Sequence, residues 1–260
     1  MTGLLFLYFI IFLFGASVGS FLNVCIYRLP KEESIISPRS HCTTCNKPVL
    51  ARDNIPVLSY ILLRGKCRNC GEKFSVIYPI IEFLTGIVFV YFFYFFGFNL
   101  KVIPYLILTC SLIVISIIDI NHRIIPNEIS IPFIFLGILF TPILPIKLYD
   151  SLLGILFGGG ILYSIAVIYA LVAKKEGMGM GDVKLLAMIG AFLGIRGVLV
   201  TILLGSFLGT IGGFAAILLS GKGRDYPIPF GAFLSIGAVI ALLWGDEMIR
   251  VYWDLAGMLR

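Results

Sequence analysis

Leu106-Ile-Leu-Thr-Cys-Ser-Leu-Ile-Val-Ile-Ser-Ile-Ile-Asp119 decides how this chain folds. From Val102 to Ile118 no residue is charged, and the run then ends on a carboxylate. A bilayer is crossed by roughly 20 apolar residues in a helix. Comparable runs lie at 3–27, 78–97, 101–119, 127–146, 150–173, 182–195, 196–219 and 228–249. These eight hydrophobic segments predict an all-α polytopic membrane protein. The sixth is short and carries glycine, so it reads as a half-span that works only when packed against protein. Composition agrees: the 260 residues are 59% hydrophobic and 13% charged, against about half apolar and a quarter charged in a soluble domain. No basic residue precedes Leu4, so the first segment lacks the positive n-region of a cleaved signal peptide and reads as a retained helix.

The one long polar stretch, residues 28–77, separates the first two segments and holds nine of the twenty basic residues. Membrane proteins concentrate Lys and Arg on cytoplasmic loops. If 28–77 is cytoplasmic, so are the loops at Arg123, at Lys174, Lys175 and Lys184, and at Lys222 and Arg224. That side then carries fifteen basic residues, against five (Lys101, Lys147, Arg196, Arg250 and Arg260) opposite. The expectation is an external N-terminus, with Asp119 and Asp182 both on the cytoplasmic side. The net charge of +6 follows from this bias, so no nucleic-acid partner is expected; the partner that composition does imply is the lipid bilayer. The expected division is 1–27 as first helix, 28–77 as a metal-binding domain, 78–249 as the membrane core and 250–260 as a short tail. Gly158-Gly159-Gly160 and the series Gly205, Gly209, Gly213 read as close helix packing.

Within 28–77, Cys42-Thr-Thr-Cys45 and Cys67-Arg-Asn-Cys70 form two CxxC turns. Two such turns supply four thiolates for a tetrahedral structural Zn2+ site. A redox dithiol pair or two disulfides are the competing readings, and a cytoplasmic location argues against disulfides. His41 is a spare ligand beside a site that four sulfurs already fill. A small domain with little core of its own draws stability from such a metal.

Asp119 and Asp182 are costly residues at the edge of hydrocarbon. Asp182 follows Gly177, Gly179 and Gly181, which let the backbone approach another chain closely. Alone it would pass as a helix N-cap, and Asp119 alone as an interfacial helix end. On one side of the membrane the two make a candidate carboxylate pair for acid–base chemistry on water. Asp182 opens a helix and Asp119 ends one, so the helix dipoles predict distinct roles: Asp182 as base, Asp119 as proton donor. Lys184 either steadies Asp182 or extends to the headgroups. Asn127 and Arg123 are expected to shape the adjoining loop, and His122 to face solvent there.

Taken together these signatures resemble the type IV prepilin peptidases. They are Gly15-Ala-Ser-Val-Gly19-Ser20-Phe21-Leu22-Asn23, Tyr27-Arg28-Leu29-Pro30, the double CxxC, Tyr78-Pro79, Glu82-Phe83-Leu84-Thr85-Gly86, Ile125-Pro126-Asn127, Gly179-Met180-Gly181-Asp182-Val183-Lys184 and Pro229-Phe230-Gly231. Ala232 follows Gly231 where the pattern has proline. The resemblance implies an aspartic endopeptidase of the bacterial inner membrane with Asp119 and Asp182 as its catalytic pair. It implies removal of a basic leader from prepilins or pseudopilins after a glycine at the cytoplasmic face. It also implies N-methylation of the new N-terminus with S-adenosylmethionine. Asn23, Glu82 and the cysteine segment are the candidates for methylation, and no glycine-rich methyltransferase fingerprint marks the donor site. A transporter would spread polar groups through several spans, whereas these acids gather at one face. A protease-inactive methyltransferase or scaffold is the other rival.

Overall fold

The computed structural model describes residues 2–174, 179–220 and 228–258. Gly177, Lys175, Lys222, Arg224 and Arg260 lie outside the described residues. Among the described residues there are eight α-helices: α1 (Thr2–Arg28), α2 (Leu58–Leu62), α3 (Ile77–Phe96), α4 (Val102–His122), α5 (Asn127–Leu139), α6 (Leu148–Ala173), α7 (Met180–Ser220) and α8 (Phe230–Met258). Among the described residues six helices (α1, α3, α4, α6, α7 and α8) are long and apolar enough to cross a membrane. The described residues contain no strand beyond two isolated bridges. The expected all-helical, multi-pass architecture holds.

Two segments differ from expectation. The fourth, expected over 127–146, is a helix only to Leu139. Its 13 residues span about 20 Å at 1.5 Å per residue, short of the roughly 30 Å hydrocarbon core. The sixth and seventh segments join in α7, which breaks at Gly194 with φ 65°. Only glycine enters that region freely. The limb before Gly194 lies antiparallel to α6, with Gly154 against Gly190 and Gly158 against Leu186. The limb after it lies antiparallel to α8, with Gly205 against Leu234 and Gly213 against Ile228. Gly181 and Gly231 both abut Ile125, so the start of α7 and the start of α8 share one end of the bundle. A straight 41-residue helix would hold its ends about 60 Å apart. α7 is therefore a helical hairpin folded at Gly194, and its first limb is short as the sequence predicts.

Two compact units divide at Leu106/Ile107. In the first, α1 and α3 pack antiparallel through small residues. A Cβ at Gly19 would stand 2.7 Å from Glu82 Cα, and one at Gly15 the same distance from Phe89 Cβ. Close backbone approach of this kind holds helices together where lipid removes the hydrophobic drive. In the second unit α4 and the first limb of α7 are central: Leu108, Leu112, Ile115 and Ile118 are fully buried, as are Leu185, Leu186, Met188 and Ile189. α6 leaves Leu156, Ile168, Leu171 and Val172 exposed, an apolar face suited to lipid. α8 continues as helix to Met258, beyond the apolar segment that ends at 249.

Candidate active site and metal centre

Asp119 lies in the last turn of α4, which stops because Arg123 takes a left-handed conformation (φ 57°) while its N–H still reaches the Asp119 carbonyl at 2.9 Å. Asp182 lies in the first turn of α7, its N–H on the Gly179 carbonyl at 3.2 Å. Sixty-three positions apart in sequence, both line one cavity of about 290 Å³ with Ile125, Asn127, Gly181 and Lys184. Asp119 is 6% exposed. A carboxylate so enclosed needs a partner, and Ala232 supplies it: its backbone N–H donates to Asp119 Oδ2 at 3.0 Å. Ala232 stands in the first turn of α8, so Asp119 sits between the C-terminal end of one helix and the N-terminal end of another. The α8 N-terminus offsets the α4 dipole at Asp119, the half of the expected contrast with Asp182 that made Asp119 the proton donor. Gly231, the last residue of the Pro229-Phe230-Gly231 signature, lies against the same carboxylate: a Cβ there would stand 3.0 Å from Asp119 Oδ2. The departure from proline at 232 is what makes the N–H available.

Lys184 does not turn to Asp182. Its Nζ donates to Asn127 Oδ1 at 2.8 Å, tying the first turn of α7 to the first turn of α5. Ile125 was missed as an individual residue. It fills the gap between the two aspartate supports: a Cβ at Gly181 would stand 2.9 Å from Ile125 Cβ, and one at Gly231 2.8 Å from Ile125 Cδ1. The signal was present as two glycines, each beside an acidic site residue in sequence or space. His122 is exposed at the end of α4, as expected.

In the first unit Cys42, Cys45, Cys67 and Cys70 bring their sulfurs within 4.8 Å of one another. His41 is not among them, and its Nδ1 pairs with the Arg39 carbonyl. The two turns share one backbone pattern. Cys42 N–H donates to Lys47 O and Asn46 N–H to Cys42 O; Cys67 N–H donates to Glu72 O and Gly71 N–H to Cys67 O. Asn46 (φ 54°) and Gly71 (φ 73°) hold the same left-handed place in each. Zinc–thiolate bonds of about 2.3 Å in a tetrahedron set sulfurs roughly 3.8 Å apart. The Cys42–Cys70 separation is 3.7 Å, and all four thiols are free, so the donor set fits such an ion and not a disulfide. Backbone N–H groups of Cys45 and Thr44 lower the Cys42 thiol to about 6. At Cys70 the Glu72 N–H pulls downward, but burial and the three neighbouring sulfurs outweigh it and push the thiol up to about 12. A divalent cation removes that uneven sharing by holding all four as thiolates.

Glu82 Oε2 accepts the Val57 N–H at 2.7 Å. Val57 has φ 61°, a conformation that costs a β-branched residue about 1–3 kcal/mol. Glu82 thus anchors a strained turn between the two CxxC loops onto α3. Asn23, on α1, donates through Nδ2 to the Tyr78 carbonyl at 3.0 Å. Its Oδ1 is buried and meets no hydrogen-bond donor among the described residues. Asn23 and Glu82 line a second cavity, of about 220 Å³, together with residues of α1 and of the cysteine-bearing segment.

Two family profiles match the chain: the bacterial peptidase A24 N-terminal domain over residues 13–96, and the type IV leader peptidase family over residues 106–214. The chain is 37% identical over 276 residues to the prepilin leader peptidase/N-methyltransferase of Aeromonas hydrophila, covering 96% of this chain and 95% of that one. It is 37% identical over 269 residues to the protein of the same name from Pseudomonas aeruginosa, with 94% and 93% covered. For that of Legionella pneumophila the identity is 34% over 271 residues, with 95% and 94% covered. No solved structure matches significantly.

Proposed function

Because the chain belongs to the type IV leader peptidase family, we propose that it is an aspartic endopeptidase that cuts the basic leader from prepilins or pseudopilins after a glycine. The cut is made at the cytoplasmic face of the bacterial inner membrane. The observation that carries this is the shared cavity of Asp119 and Asp182. In the reading, water between the two carboxylates attacks the scissile carbonyl. One carboxylate takes the water's proton; the other gives a proton to the carbonyl oxygen, and the peptide C–N bond then breaks as the amine is protonated. The Ala232 N–H fixes the orientation of Asp119, and the Lys184–Asn127 bond keeps the first turn of α7, hence Asp182, in register. Gly179, with nothing closer than 3.9 Å to where its Cβ would stand, leaves room for an extended substrate strand. The apolar helix of the substrate lies in lipid beside the enzyme, with its leader at the cytoplasmic surface. The N-terminus is external, and residues 28–77 form a cytoplasmic metal-binding domain attached to a peptidase core at 78–249.

Two groups complete the proposal. Cys42, Cys45, Cys67 and Cys70 hold Zn2+, which fixes the two CxxC loops to each other. S-adenosylmethionine supplies a methyl group to the new N-terminal amine, and the unpartnered Oδ1 of Asn23 in a lined cavity fits a donor-rich ligand of that type. A purified preparation incubated with prepilin and labelled S-adenosylmethionine, followed by mass spectrometry of the mature N-terminus, tests both reactions. Asp119→Ala and Asp182→Ala should each abolish cleavage while membrane insertion persists. Cleavage surviving the double change would leave the protease-inactive rival standing.

A further inference from the structure

Between the two CxxC turns lies a short helix, α2, that is built inside out. Ser59 turns inward, where it is 6% exposed, and its neighbour Tyr60 donates its hydroxyl to the Phe74 carbonyl. Leu58, Ile61 and Leu62, at i, i+3 and i+4, share the opposite face. They are 48%, 64% and 70% exposed. A helix of a water-soluble domain buries such a stripe and shows its serine to solvent. Ile55, whose N–H reaches Ser59 Oγ at 2.9 Å, is a further exposed aliphatic at the start of this face. Exposed large apolar groups gathered in this way mark a surface that something covers.

What covers it follows from the depth at which α2 is held. The Val57 N–H, just before α2, donates to Glu82 Oε2. α3, with 20 residues, spans about 30 Å at 1.5 Å per residue, the thickness of the hydrocarbon core itself. Glu82 follows the start of α3 by five residues, so it stands about 7.5 Å inside that span. The turn fastened to it therefore sits at the boundary of headgroups and acyl chains, not in the water above. Ile80, Phe83 and Leu84 of α3 are exposed around the same level, so the aliphatic face of α2 continues a surface that already meets lipid. Cations stand at both ends of α2. The Ser59 hydroxyl ties Arg52 to it, donating to the Arg52 carbonyl at 3.1 Å, and Arg64 follows it with a left-handed backbone (φ 52°). Both arginines are exposed, and a guanidinium matches a phosphate group in shape and charge. We propose that α2 is an interfacial anchor. Its Leu58, Ile61 and Leu62 face enters the bilayer at the headgroup–acyl boundary, and Arg52 and Arg64 lie on lipid phosphates. The CxxC loops on either side of α2 are thereby held against the membrane surface.

The test is tryptophan depth profiling of the full chain in lipid nanodiscs, one copy per disc and no substrate present. The two native tryptophans are removed as Trp244→Phe and Trp253→Phe, and Leu62→Trp supplies the only indole. Ile61→Trp gives the same reading if Leu62→Trp does not fold. The expected result is blue-shifted emission, quenched about twofold or more strongly by bromines placed near the headgroup than by bromines at the acyl chain ends, as for a face lying ~5–10 Å into the boundary. Arg52→Gln together with Arg64→Gln should raise the access of aqueous iodide to the same probe severalfold. Water-like emission that iodide quenches and brominated lipid does not overturns the proposal. Blue-shifted emission that brominated lipid fails to quench also overturns it, because protein then covers the face. Iodide access unchanged by the two arginine replacements overturns the role given to the phosphates.

Discussion

Gly231→Ala is the perturbation that most directly probes how Asp119 is held. A Cβ at position 231 would stand 2.8 Å from Ile125 Cδ1 and 3.0 Å from Asp119 Oδ2. Favourable contacts begin near 3.5 Å, so the carboxylate must retreat by roughly 0.5 Å or α8 must shift by as much. Either movement loosens the Ala232 N–H bond to Oδ2, now 3.0 Å. A hydrogen bond to a charged group contributes about 1.5–3 kcal/mol, and catalytic groups tolerate displacement of about 0.5 Å at most. The expected outcome is a fall of about 10- to 100-fold in kcat/KM for prepilin cleavage, at about 1.4 kcal/mol per factor of ten. The assay is the electrophoretic shift from prepilin to mature pilin in detergent, at substrate concentrations spanning KM. Ala232→Pro is the companion. Proline is tolerated in the first helical turn but removes the N–H that orients Asp119 altogether, so by the same reasoning its loss should be at least as large. A Gly231→Ala enzyme within twofold of the parent would refute the reasoning, because the carboxylate would then be free to move without consequence.

Replacing one ligand, as in Cys67→Ser, should reduce bound zinc from about one ion per chain to a small fraction, since three sulfurs hold the ion far more weakly than four; elemental analysis of the purified protein reads this out. Acidification should release the metal as well. Protons compete with the ion for all four thiolates, so the bound fraction should fall steadily as the pH is lowered from about 7, followed with a chromogenic chelator. Glu82→Ala should speed zinc release, because Val57 loses the acceptor that holds its strained turn, a loss of about 1.5–3 kcal/mol. Glu82→Gln keeps an acceptor and should stay near the parent. Lys184→Met should lower cleavage less than Gly231→Ala, since it breaks a bridge to Asn127 and leaves both carboxylates in place.

The long apolar runs and the two CxxC turns were legible because each is a local pattern: twenty residues without charge, or two thiols on one tight turn. The fold of α7 was legible as a boundary between abutting segments at 195/196, one residue from the break at Gly194. The truncation of α5 at Leu139 was legible too, although Thr141–Ile146 is as apolar as the helix before it: Pro142 and Pro145 stand just past its end, where a helix cannot continue. The two aspartates could be named from their cost beside hydrocarbon. Their support could not, because the N–H that meets Asp119 comes from a helix 113 positions away and backbone donors leave no mark in a sequence. Lys184 was weighed against Asp182, its neighbour in the chain. Its partner is Asn127, a neighbour only once α5 and α7 are folded.

Ile125 gives the site a property that neither acid supplies. It is wedged between the glycine preceding Asp182 and the glycine next to the donor of Asp119. The gap between the two halves of the site is thus set by the thickness of one aliphatic side chain, as a shim sets the clearance between two machined faces. Removing methyl groups at position 125 should narrow or slacken that clearance without altering any charge. Activity in this protein is therefore open to tuning by a residue that has no chemistry of its own.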